Sequence, residues 1–72
     1  MCLIILANDI KSLSMDDMET AYTRNPHGFG VMYMDHKKNF VSDKFVPKNF
    51  NEVKNFFNPH KEKTNVMSIL FI

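Results

Sequence analysis

The apolar and polar positions fall in blocks that predict four strands and two helices. Cys2 to Ala7 is a continuous apolar run, the pattern of a strand buried on both faces. Asn8 and Asp9 break it. Ser14 then precedes Asp16, Asp17 and Glu19, acids placed where the first turn of a helix favours negative charge. Met15, Met18 and Tyr22 recur at helical spacing, so a helix is predicted from Met15 to Arg24. Asn25-Pro26 ends it, because the residue before proline is pushed out of the helical region.

His27-Gly28-Phe29-Gly30 leads into a second strand, Val31 to Met34. His36 to Asn39 is polar enough for a hairpin turn, and Phe40 to Val46 returns as the third strand. Phe40, Ser42 and Lys44 would share one face of it and Val41, Asp43 and Phe45 the other. Neither face is purely apolar, which predicts an edge strand. Asn49 followed by Glu52 has the spacing of a capping box, and Phe50, Val53 and Phe57 give the next helix one apolar face. Asn58-Pro59 is expected to close that helix, with His60 to Asn65 a polar connector and Val66 to Ile72 a final apolar strand.

The order is β-α-β-β-α-β, an α+β class with a small sheet and two helices. A ferredoxin-like fold shares that order, and so does part of a larger layered fold. A chain of 72 residues makes one domain, and its 44% apolar content with seven phenylalanines is enough for a core. Nine basic and eight acidic side chains leave a formal charge of +1, which argues against nucleic acid or an anionic membrane as partner. The single cysteine cannot form an internal disulfide, and neither apolar terminal run suits a signal peptide or a span, so a cytoplasmic setting is expected.

Cys2 is the candidate nucleophile. Removal of Met1 would leave its thiol beside a free amine, and an amine with a pKa of roughly 8 can accept the thiol proton. A buried structural cysteine is the plainer alternative. His27, His36 and His60 lack metal-ligand spacing, and Gly28-Phe29-Gly30 is too short for a phosphate loop, so neither metal nor cofactor is expected. The swing from helix end to strand predicts a positive φ at Gly28 or Gly30.

Met1-Cys2-Leu3-Ile4-Ile5, an intervening helix, and Arg24-Asn25-Pro26-His27-Gly28-Phe29-Gly30-Val31-Met32-Tyr33 resemble the opening segment of small, phage- and bacteria-associated class II glutamine amidotransferases. These are N-terminal-nucleophile hydrolases. The resemblance covers nearly the whole chain and implies a single truncated amidotransferase-like domain over residues 1–72, part of that family's layered fold. It implies Cys2 as nucleophile position once Met1 is removed, with Asn25, Gly28 and Gly30 forming the turn beside it. His27 stands where the family usually carries aspartate. Leu70 and Ile72 stand where the family's histidine and carboxylate-binding arginine would be, so nothing that binds glutamine carries over.

Two readings follow. In the first, the chain is a non-catalytic amidotransferase-like protein that binds, and through binding inhibits, another protein, as a phage product acting on a host target would. Its contact would be the last strand, through Val66, Ile69, Leu70 and Ile72, expected to be a bare sheet edge that self-association or a protein partner covers. The alternative is a glutamine-hydrolysing half-domain with Cys2 as nucleophile, completed by another chain.

Overall fold

A computed structural model describes residues 2–72. The chain runs β1 (Leu3–Ala7), a single 3-10 turn (Ile10–Ser12), α1 (Met15–Arg24), β2 (Phe29–Met34), β3 (Phe40–Phe45), α2 (Phe50–Lys61) and β4 (Met67–Phe71). The class is α+β, as the order predicted.

Both helices begin where their capping residues stand. Ser14 Oγ accepts the Asp17 N–H at 3.3 Å, and Asn49 Oδ1 accepts the Glu52 N–H at 3.0 Å. The reciprocal half of the capping box is shifted by one residue. Glu52 Oε1 accepts from the Lys48 N–H at 2.8 Å, not from Asn49. Helix α1 keeps its expected bounds, but α2 runs through Pro59 to Lys61. Proline there removes one N–H from the last turn only, where His60 is held by side-chain contacts to the sheet.

The four strands form one antiparallel sheet in the order β1-β4-β2-β3. Each β-α-β passage skips one strand, a split arrangement. The first strand lies at an edge and not inside the sheet, which separates this topology from the ferredoxin-like one. β3 is the other edge, as its mixed faces predicted. β4, in contrast, has a partner on each side, so the expectation that the last strand is a bare edge is corrected.

Both helices cover the same face. Ala7, Phe29, Val31, Tyr33, Met67, Ile69 and Phe71 point to it and pack with Ile10, with Met18 and Ala21 of α1, and with Val53 and Phe57 of α2. Phe29 is the centre of this layer, edge-on to Phe71 at 5.1 Å and to Phe56 at 5.8 Å between ring centroids. Each such side chain removed from water contributes roughly 1.5–3 kcal/mol. The expectation that β1 is buried on both faces fails: Ile4 and Leu6 are exposed and only Ala7 is fully covered. A short apolar run reads the same whether its second face is covered by protein or left open.

Candidate functional site

Alternation along each strand leaves a second set of side chains on the sheet face that no helix covers. The register arranges them in rows. Ile4, Leu70, Gly30 and Lys44 lie side by side across the four strands. Leu6, Ser68, Met32 and Ser42 form the next row, and Met34 pairs with Phe40 beyond it. Leu6 is 73% exposed, Phe40 64% and Ile4 63%, with Met32, Met34 and Val66 also exposed. Lys44 is the one charged residue in these rows. A shallow depression of about 270 Å³ lies over Gly30, bounded by Ile4, Met32, Ser42 and Leu70.

Neither glycine has a positive φ, which corrects that expectation. At Gly30 the approach of the neighbouring strand is tight, whereas at Gly28 an added Cβ would make only ordinary contact. A Cβ on Gly30 would stand 3.3 Å from the Asp43 carbonyl oxygen and from Lys44 Cβ, and one on Gly28 would meet Ile72 Cβ at 3.4 Å. At the same end of the sheet, Ile72 N–H donates to the Gly28 carbonyl at 3.0 Å and His27 N–H to the Ile72 carbonyl at 2.7 Å. Leu3 pairs with Phe71, and Phe71 with Phe29. The register therefore brings Cys2, Ile72 and Gly28 to one end of the sheet. Cys2 itself is exposed at the head of an edge strand. Asn25 caps α1 and is buried. Its Nδ2 donates to the Ala21 carbonyl at 3.2 Å, while Oδ1 has no partner among the described residues.

The interaction residues read from the last strand separate. Ile69 is fully buried beneath the helices, Leu70 is half-buried on the open face, and Val66 and Ile72 are exposed at the two ends. The exposed apolar side chains of the open face are instead spread over alternate residues of all four strands, with Leu70 the one contribution of the predicted set within β4. Their signal in the sequence was Ile4 and Leu6 in β1 and Met32 and Met34 in β2, at a spacing of two.

A second constellation was not read from the sequence. Tyr33 of β2, His60 of α2 and Asp43 of β3 form a chain, with the Tyr33 hydroxyl 2.6 Å from His60 Nδ1 and His60 Nε2 3.4 Å from Asp43 Oδ2. Burial first, then the carboxylates of Asp35 and Asp43, raise the Tyr33 pKa above its ordinary 10.0. The inward parity of Tyr33 and Asp43 and the three-residue step from Phe57 to His60 were the available signals.

Among the described residues, no group of three His, Cys, Asp or Glu side chains could hold a metal, and no helix is long and apolar enough to cross a membrane. No protein-family model, curated protein or solved structure matches the chain.

Proposed function

We propose that the chain is an amidotransferase-like domain that works by binding another protein, with no catalysis of its own, and that the uncovered sheet face is its docking surface. The observation that carries this reading is the apolar face itself. Ile4, Leu6, Met32, Met34 and Phe40 stand exposed together on one side of a well-packed two-layer domain. Exposed contiguous apolar patches of this kind mark interaction surfaces. The absence of catalysis rests on Leu70 and Ile72, which supply no group to neutralise a substrate carboxylate.

One observation favours the second reading, a glutamine-hydrolysing half-domain completed by another chain: Cys2 shares one end of the sheet with Gly28 and Ile72. Ammonia release from glutamine by the wild type and Cys2→Ala separates the two. The binding reading expects no Cys2-dependent turnover by the purified chain, and clear turnover overturns it. The docking surface is tested by affinity capture with wild type and with Leu6→Lys/Phe40→Lys. A partner retained equally by both would place docking elsewhere.

A further inference from the structure

Resting on the docking reading, we infer that the occupant of the open sheet face is a second copy of this chain, packed face to face about a two-fold axis. That axis runs parallel to the strands, between β4 and β2. The argument begins with the order of side-chain sizes across the sheet. One row reads Ile4, Leu70, Gly30, Lys44, and the next reads Leu6, Ser68, Met32, Ser42.

A two-fold axis along the sheet midline reverses each row over itself. Leu70 of one copy then faces Gly30 of the other, Leu6 faces Ser42, and Met32 faces Ser68. In these three pairs a large side chain meets a small one, and the remaining pair of the first row sets Ile4 at the edge against the flexible stem of Lys44. Large against small is the condition for two layers to interdigitate without voids or overlap. The depression over Gly30 becomes the socket for Leu70 of the second copy, and its other walls, Ile4, Met32 and Ser42, lie within the same contact.

Charge permits the same arrangement. Lys44 lies on β3, and the reversal sets it over Ile4 on β1 of the other copy, at opposite edges of the contact. The two ammonium groups stay apart. Each can lay its apolar stem on Ile4 and carry its charge to the rim. No buried like-charge pair results.

The contact is small. Four strands about 4.8 Å apart and five to six residues long, at about 3.3 Å each, give a face of roughly 300 Å² in plan, so two faces together cover about 600 Å² before the relief of the projecting Ile4, Leu6, Met32, Met34 and Phe40 is added. That places the pair at or below the lower end of the range for specific interfaces, about 1,200 Å², where association depends on concentration. The product is a four-layer sandwich, helices outside and two sheets inside, with the sheets about 10 Å apart.

Sedimentation equilibrium of the wild type and of Leu6→Lys/Phe40→Lys tests association. Both replaced residues are mostly exposed in the single copy, so the variant keeps its internal packing, and circular dichroism checks this. The expected result is a mass near twice 8.4 kDa for the wild type at tens of micromolar and a monomer for the variant. Register is tested with Leu6→Cys/Ser42→Cys in a Cys2→Ser background. The two new thiols lie at opposite edges of one sheet, about 14 Å apart, beyond a short bismaleimide. Face-to-face pairing brings each within reach of its counterpart on the other copy, so the double variant is expected to crosslink as a dimer while either single variant does not. A wild type that stays monomeric overturns self-pairing, as does a dimer that survives the lysine substitutions or fails to crosslink. The broader docking reading is judged separately, by whether the lysine variant loses a captured partner.

Discussion

The Tyr33 hydroxyl and His60 Nδ1 share a hydrogen bond of 2.6 Å, tying the middle of the sheet to the last turn of α2. Asp43 flanks the other ring nitrogen, its carboxylate 3.4 Å from His60 Nε2. The three residues come from three elements and close one corner of the helix–sheet interface. Tyr33→Phe removes the hydroxyl and is expected to lower stability by about 0.5–1.5 kcal/mol in urea unfolding. No loss would mean that the contact is incidental to the fold.

The same tyrosine contributes to the loss of stability in alkali. Its folded pKa is raised above 10.0, chiefly by burial, so the unfolded chain loses the phenolic proton first as pH rises. Over that interval the folded state holds more protons, and stability falls with rising pH from about 10 upward. Thermal melts from pH 9 to 11 should show this decline in the wild type and a shallower one in Tyr33→Phe. Parallel slopes in the two proteins would contradict the assignment.

Asp35 acts at the opposite end of the scale. Its Oδ1 accepts from the Asn39 N–H at 2.8 Å and the Lys37 N–H at 2.9 Å, organising the β2–β3 turn. These bonds, Asn39 first, hold the folded carboxyl below its ordinary 3.8. Stability from this group is present above 3.8 and is lost as pH falls through the folded value. Asp35→Ala should lower the melting temperature at neutral pH and flatten its fall in acid. A variant that keeps the wild-type acid slope would assign the fall to other carboxylates.

Lys38 is the one described non-glycine residue with positive φ, at 67°. It follows a turn closed by its own N–H to the Asp35 carbonyl at 3.0 Å. An L-residue in this left-handed region is strained by roughly 1 kcal/mol, and hairpins of this length favour glycine there. Lys38→Gly is therefore expected to raise the melting temperature by several degrees, since about 1 kcal/mol moves a domain of this size by roughly 4–8 °C. A lower melting temperature would show that the lysine side chain contributes more than its backbone strain removes.

Much of this architecture was legible in the residues, because local chemistry decides it. Ser14 and Asn49 start their helices, and the mixed faces of Phe40 to Phe45 belong to an edge strand. What was hidden depends on partners far along the chain. Strand order decides whether Leu6 has a neighbour above it, and nothing in Leu3 to Ala7 encodes that order. Pro59 read as a helix end because its ring removes an N–H, yet His60 is anchored by Tyr33, 27 residues away. The glycines were read as turn residues, whereas Gly30 lies inside β2, where an added Cβ would press on the β3 backbone. On the candidate site, the sequence pointed to the last strand, and the register spread the apolar surface over all four.

The central claim, that the uncovered sheet face is a contact surface, is tested most directly at the methionine methyl groups. Met32 and Met34 stand on that face at 48% and 53% exposure, whereas Met18 and Met67 are buried in the core at 1%. Methyl-labelled protein is titrated with a soluble gadolinium chelate, first over a concentration series and then with any captured protein. The account predicts that the Met32 and Met34 signals become shielded in the associated state, approaching Met18 and Met67, and broaden freely in Leu6→Lys/Phe40→Lys. Signals from Met32 and Met34 that broaden freely in every state of the wild type would contradict it.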